Sequence, residues 1–335
     1  MDNINRKYPL FSVIIPLFDK GPYIKRAIES VLNQTIQNFE IIVVDGGSQD
    51  DGPKFVKDLH DPRISFLVQR GKGVSNARNE GVEYAKNDYI AFLDADDEWM
   101  PNHLETIIRL MEKHPKAGMF TTAYKIQTAE GKTRWPHYDC IPNPPWEGLF
   151  PNYFKSAALG DTPVWTSVVV IPRQIFHEVG GFPEGYWWGE DVDLFGKIAL
   201  KYPVAFSWEL GGIYHWDATN RACNKITTMN YEDEPFVNTV YNALMRKEIP
   251  PEFIEFINEY IADRKIFRAI HYVRAGSPDL AQIILNNCST RWYYNKKMKW
   301  LLLSKLPYPI FLFIRNSRRK LNSIVRKNKN MHSAE

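Results

Sequence analysis

Cysteine is scarce: three residues, Cys140, Cys223 and Cys288, are spread through 335 positions without a metal-site pattern. That spacing argues against a disulfide framework and fits a reducing compartment. The start, Met-Asp-Asn-Ile-Asn, has no basic, apolar signal peptide. In the C-terminal part, the apolar run Trp300 to Ile314 has only 15 residues and contains Lys305, Pro307 and Pro309, so it is too short and broken to span a bilayer. Two phosphate-binding motifs are also missing. Gly71-Lys72-Gly73 opens like a dinucleotide fingerprint, but Asn76 stands where the third glycine belongs, and no Gly-x-x-x-x-Gly-Lys-Ser/Thr run exists. A Rossmann dinucleotide loop and a P-loop are therefore excluded, and any phosphate must be met another way. No internal repeat occurs.

What is present begins with strands. Phe11 to Pro16 and Phe39 to Asp45 are near-continuous apolar runs, as expected of parallel strands covered on both faces. Ile24, Ala27, Ile28, Val31 and Leu32 mark a helix over Pro22 to Asn33. A third strand, Ile64 to Val68, precedes a helix over Val74 to Ala85, and then comes a strand that empties into Asp94, Asp96 and Asp97. Strands alternating with helices predict an open α/β sheet with right-handed crossovers, whose ligands bind at the carboxyl ends of the strands. Asp45 and Asp94 both stand at such ends, and Gly46 and Gly47 allow close backbone approach or serve a tight turn. If the chain stays extended, Asp94 and Asp96 project the same way. Two hard oxygen ligands there suit Mg2+ or Mn2+ with a diphosphate, while each aspartate alone reads equally as a turn or N-cap residue.

The pieces Ser-Val-Ile-Ile-Pro (12–16), Ser-Val-Leu-Asn-Gln-Thr (30–35) and Ile-Ile-Val-Val-Asp-Gly-Gly-Ser (41–48) are followed by Asp50, Asp51 and Gly52. Then come Gly-Val-Ser-Asn-Ala-Arg-Asn-Glu-Gly (73–81), Phe-Leu-Asp-Ala-Asp-Asp (92–97), and Gly-Gly-Phe-Pro-Glu (180–184) leading to Gly-Glu-Asp-Val-Asp-Leu (189–194). In that order they resemble the inverting, nucleotide-sugar-dependent glycosyltransferases of family 2, over roughly residues 9 to 225. The resemblance implies a GT-A fold, a Rossmann-like, mostly parallel sheet flanked by helices. It implies a catalytic domain over 1–225, with a nucleotide-sugar half at about 9–125 and an acceptor half at about 126–225. The donor it implies is a nucleotide-diphosphate sugar, UDP-linked, and the acceptor a glycan or lipid-linked glycan. By the same resemblance Asp45 reads the base, Pro16 and Phe18 wall the nucleotide pocket, and Arg78 and Asn79 shape it. Asp94 lies near the ribose, and Asp96 binds the divalent metal that bridges the diphosphate. Arg78 also reads as a surface helix residue paired with Glu80 or Glu83.

Inversion needs one carboxylate to take the acceptor proton. Asp191, second in the Glu-Asp motif, is assigned that role, with Glu190 as an orienting or acceptor-binding partner. Asp193 is the nearest rival, and all three also read as helix-start carboxylates. Trp188 is a candidate acceptor contact, since aromatic faces suit sugar rings, although core packing also explains a tryptophan. His215 stands where the family places a late metal-binding histidine, and reads otherwise as a structural residue.

Charge divides the chain. Residues 291–335 carry 12 Lys or Arg against one acidic residue, and residues 1–290 carry 30 against 38. The basic, apolar tail suits an anchor on an anionic membrane surface, or a helix pair packed on the protein. Residues 226–335 read as a helical extension, with Gly276 ending one helix and Ser277-Pro278 starting another. The expected location is cytoplasmic, peripheral on the cytoplasmic membrane face. A sugar-nucleotide-forming nucleotidyltransferase lacks its glycine-rich loop after the first strand, where Pro16-Leu17-Phe18-Asp19 stands. A nucleic-acid binder using the tail lacks an RNA-binding motif, so no nucleic acid is expected.

Overall fold

The computed structural model describes residues 11–186, 188–218 and 234–317. Trp187, the point near residue 226 where the sequence places the start of the extension, and the basic residues from Arg318 onward lie outside them. The strands are β1 (Phe11–Leu17), β2 (Phe39–Asp45), β3 (Ile64–Val68), β4 (Tyr89–Phe92), β5 (Glu98–Trp99), β6 (Met119–Gln127), β7 (Thr133–Arg134), β8 (Glu147–Leu149), β9 (Val169–Pro172) and β10 (Val204–His215). The α-helices are α1 (Gly21–Leu32), α2 (Gly52–Lys57), α3 (Gly73–Tyr84), α4 (His103–Lys113), α5 (Tyr153–Leu159), α6 (Arg173–Glu178), α7 (Glu190–Lys201), α8 (Pro235–Met245), α9 (Pro251–Ala275), α10 (Pro278–Asn286) and α11 (Tyr294–Ser304).

The strands form one sheet in the order β3-β2-β1-β4-β9-β6-β10-β5, with β7 beside β6 and β8 beside β10. β1 to β4 are mutually parallel and β9 is antiparallel to both its neighbours. Val13, Ile14, Ile15 and the run Ile41 to Val44 are fully buried, which is why these strands read as unbroken apolar runs. The chain steps outward from β1 to β2 and β3, then returns to β1's other side with β4. The carboxyl ends of β1, β2 and β4 therefore open on one crevice, at the point where strand order reverses.

Helix α1 buries Ile24, Ala27, Ile28 and Val31, the face its spacing predicts, with Pro22 in its first turn. α3 lies closer to the sheet. A Cβ on Gly81 would stand 2.5 Å from Ile14 Cγ2 and 3.3 Å from Val44 Cγ2, so only glycine permits this approach.

Among the described residues, 11–218 and 234–257 form one compact unit, which includes α8, and 258–317 form a second. In the second unit Ile266, Ala269, Val273, Ala281, Ile284, Leu285 and Phe311 share a core, with Trp300, Leu301 and Leu303 partly buried against it. Gly276 ends α9 at a φ of 84°, and Pro278 opens α10, although the Ser277 side chain makes no capping bond. The apolar tail is broken between α11 and a helical run over 308–317, as Lys305 and Pro307 predict. It packs into this unit while Leu302, Ile310 and Phe313 stay exposed, Phe313 at 73%.

Gly81→Ala is predicted to destabilise the first unit by about 1–3 kcal/mol through overpacking against β1, more than the ~1 kcal/mol an alanine gains in a helix. A urea midpoint equal to or above that of the parent would contradict this packing.

Candidate active site

The acidic segment after β4 corrects the sequence reading. β4 ends at Phe92, and the chain then turns, with the Asp97 amide donating to the Asp94 carbonyl at 3.0 Å. Asp94 and Asp96 are therefore not alternate residues of one strand. The turn is fixed by Asp97, whose carboxylate is buried and accepts from Ser167 Oγ at 2.7 Å and from the His215 amide at 3.2 Å. Ser167 Oγ in turn accepts from the Asp94 amide at 3.1 Å. Burial first, then the charges of Asp96 and Asp94, push the Asp97 carboxyl well above the usual carboxylate range.

The other two carboxylates point elsewhere. Asp96 Oδ2 pairs with Lys20 Nζ at 2.7 Å, and Arg26 Nη2 donates to the Asp96 carbonyl at 2.5 Å. Asp94 Oδ1 accepts from Arg78 Nη2 at 2.8 Å. Arg78 is buried, at 4% exposure, so its pairing with Glu80 or Glu83 does not occur; those residues meet Arg70 instead. Its other nitrogen, Nη1, donates to Glu190 Oε1 at 3.0 Å, and the guanidinium lies 5.0 Å from the centre of the Phe182 ring. Burial disfavours the Arg78 cation, yet Asp94, then Glu190, more than compensate and hold it charged above its ordinary range.

Glu190 opens α7, preceded by Gly189 at a φ of 81°. Its carboxyl is pushed up to about 7, by burial first and then by the Asp191 charge, against the opposing pull of Arg78. Asp191 is half-buried, and its Oδ1 accepts from the Val192 amide at 2.8 Å. Asp193, the rival base, is 1% exposed and bound to Lys197 and Thr239, so it belongs to the packing of α7 on α8. Acidic residues 94 and 190 thus meet through one side chain, with Asp191 in the field of the same guanidinium.

At the ends of β1 and β2, Leu17 pairs in register with Asp45, so Pro16 and the half-exposed Phe18 flank the end of β2. Asp45 Oδ1 accepts from the Ser48 amide at 3.1 Å and its hydroxyl at 2.6 Å, which closes the turn after β2. Asp50 accepts from the Gly21 and Gly52 amides at 2.7 and 3.0 Å and so ties α1 to α2 beside the same crevice. Asn79 commits its side-chain amide to the Phe182 backbone, donating at 2.9 Å and accepting at 3.0 Å, and thereby positions the ring under Arg78. Trp188 is half-buried just before α7.

Among the described residues, no three His, Cys, Asp or Glu side chains form a cage for a metal ion. A more open site fits. His215 Nε2 pairs with Glu98 Oε1 at 3.4 Å, its Nδ1 lies 3.8 Å from Asp217 Oδ1, and its amide binds the same turn that carries Asp96. Mg2+ and Mn2+ need only one or two protein ligands where phosphate oxygens and water complete the shell. Lys20, Arg26, Ser167 and the central role of Asp97 carry no sequence signal; all act across more than 60 residues.

The profile of glycosyl transferase family 2 matches residues 12–179. An uncharacterized glycosyltransferase of Rickettsia bellii (strain RML369-C) is 32% identical over 192 residues, 57% of this chain and 26% of that protein. Escherichia coli WfgD, a UDP-Glc:alpha-D-GlcNAc-diphosphoundecaprenol beta-1,3-glucosyltransferase, is 39% identical over 112 residues, 33% of this chain and 44% of that protein. The shared segments span a quarter to under half of those relatives' lengths. S. aureus TarS 1–349 in complex with UDP-GlcNAc has a TM-score of 0.51 at 16% identity, covering 82% of this chain and 90% of that one. That likeness is one of fold, and it agrees with the GT-A architecture the motifs imply.

Glu190 generates a pH prediction. The native carboxyl keeps its proton to about pH 7, against an ordinary value of 4.5, so the native state binds more protons in that window and stability falls as pH rises through it. Glu190→Gln should abolish this fall, gaining on the order of 3 kcal/mol relative to wild type between pH 4.5 and 7.5. Urea melts showing the same difference at both ends would contradict it.

Proposed function

Because the chain belongs to glycosyl transferase family 2, we propose that it transfers a sugar, with inversion, from a UDP-linked nucleotide-diphosphate donor to a hydroxyl of a glycan or lipid-linked glycan acceptor. The observation that carries this reading is the Arg78 bridge, which ties the donor-side Asp94 to the Glu190-Asp191 pair in one cleft. The UDP and UDP-GlcNAc complexes of TarS support the donor class, and the diphosphoundecaprenol acceptor of WfgD supports a lipid-linked acceptor.

In this reading Asp45 meets the base, Pro16 and Phe18 wall the nucleotide, and Asp94 lies by the ribose. Arg78 holds Asp94 and Glu190 in place, and Asn79 supports it through Phe182. Asp191 takes the acceptor proton as the hydroxyl attacks the anomeric carbon opposite the leaving diphosphate. Glu190, held toward its protonated form, is less suited to that role. Trp188 stands beside this pair as an acceptor contact. Mg2+ or Mn2+, held by Asp96 with Asp94 and His215 alongside, would neutralise charge on the diphosphate.

Asp191→Asn should lower transfer by ~100-fold or more, the range of a removed general base, while UDP with Mn2+ still raises its melting temperature. Asp96→Ala should lose both. Full activity in Asp191→Asn, or unchanged Mn2+-dependent stabilisation in Asp96→Ala, would refute these roles.

In the same reading the second unit is an anchor on the anionic cytoplasmic face of a membrane. Its outward Leu302, Ile310 and Phe313 and the basic excess of residues 291–335 support this. Phe313→Glu should reduce sedimentation with phosphatidylglycerol vesicles by ~10-fold, since a buried aromatic contributes over 1.4 kcal/mol. Unchanged partition would overturn the placement, and a change in oligomeric mass without loss of vesicle binding would make the face a contact between copies.

A further inference from the structure

Lys20 stands where two parts of the crevice meet. Its Nζ lies 2.7 Å from Asp96 Oδ2, and with the lysine side chain 12% and the aspartate side chain 14% exposed this pair is largely out of water. Asp19, just before it, adopts a left-handed backbone at a φ of 50°, uncommon for a residue that carries a side chain. Two bonds hold it there. The Asp19 amide donates to Ser48 Oγ at 3.0 Å, and Asp19 Oδ1 accepts from the Gln49 amide at 2.8 Å. Ser48 is the residue whose hydroxyl closes on Asp45. The Lys20 carbonyl then accepts from the Tyr23 and Ile24 amides and starts α1. The backbone of Lys20 is thus fixed from the Asp45 side, while its side chain reaches across to the acidic turn.

That arrangement sets an ammonium on the carboxylate to which the metal is assigned. Mg2+ or Mn2+ at ~2.1 Å from Asp96 Oδ2 would stand within ~5 Å of the Lys20 Nζ, where a divalent cation and an ammonium repel. Arg26 serves the same turn differently, through the Asp96 carbonyl and, at 3.9 Å, Glu98, so its charge is not placed on the Asp96 carboxylate.

A lysine ammonium is a point charge on a flexible stem and can change partners without moving its backbone. It is also a common phosphate ligand. The chain has neither of the glycine-rich loops that cradle phosphates, so a diphosphate lying between Asp45 and Asp96 must be met by side chains of the crevice.

We infer that Lys20 exchanges partners during donor binding: its ammonium neutralises Asp96 until the donor arrives, and passes to the diphosphate of the sugar nucleotide when Mg2+ or Mn2+ takes the carboxylate. Lys20 therefore opposes the metal when no donor is bound and strengthens the donor once the metal is in place. This inference rests on the glycosyltransferase reading above and on its assignment of the metal to Asp96.

Mn2+ binding followed by electron paramagnetic resonance, and UDP binding followed by calorimetry at saturating Mn2+, test it on wild type, Lys20→Met and Lys20→Gln. Both variants should bind Mn2+ alone ~10-fold more tightly than wild type, because the competing ammonium is gone. Both should bind UDP ~10-fold more weakly, because a charge-assisted contact is lost. The opposite signs are the signature, since a residue that served packing alone would weaken both ligands or neither. Mn2+ affinity unchanged or lowered in the two variants, or UDP affinity unchanged, overturns the exchange and leaves the glycosyltransferase reading standing. Mn2+ binding that Asp96→Ala does not weaken overturns the metal assignment and the exchange together. A wild type that does not bind UDP at all overturns the proposed function as well.

Discussion

A guanidinium buried to 4% exposure must be paired, because an isolated charge in that position costs several kcal/mol. Arg78 meets this condition only by drawing in two carboxylates, Asp94 from the turn after β4 and Glu190 from the start of α7. The turn after β4 and the start of α7 are thereby fixed against each other. Much of the surrounding structure serves that contact. Gly81 lets α3 lie close enough to the sheet to bury Arg78, Asn79 secures the loop that carries Phe182, and the Phe182 ring faces the guanidinium. Gly189 gives the chain the left-handed turn that delivers Glu190 and Asp191 at the head of their helix.

The cleft is acidic in excess. Asp94, Asp96, Asp97, Glu98, Glu190 and Asp191 face Lys20, Arg26 and Arg78. Burial relieves part of the repulsion by holding Asp97 and Glu190 toward their protonated forms. Beside Asp96 the remaining negative charge is met by Lys20, whose Nζ stands 2.7 Å from Oδ2.

β1, β2 and β4 were legible because they are buried, so their apolar runs survive in any context, whereas β5 to β10 were not read from the sequence. Helices α1 and α3 followed from spacing, and Asp45, Asp94 and Glu190-Asp191 from their positions at strand and helix ends. The acidic turn was not legible. Alternation assumes an extended chain, whereas the Asp94–Asp97 turn is held by Ser167 and His215, 70 and 118 residues beyond Asp97. Arg78 shows the same limit. Its sequence neighbours Glu80 and Glu83 offered local partners, and only the burial of α3 against the sheet turned it toward residues 16 and 112 positions away. Lys20 escaped notice because nothing in a helix-start lysine announces a carboxylate 76 residues on.

The convergence of donor and base sites on one cleft is tested most directly by crystals grown with UDP and Mn2+. The account predicts an anomalous manganese peak at the Asp96 carboxylate, with the diphosphate between it and the Asp191 end of α7. A manganese peak away from residues 94–97, or a diphosphate on the far side of the sheet from Asp191, would contradict it.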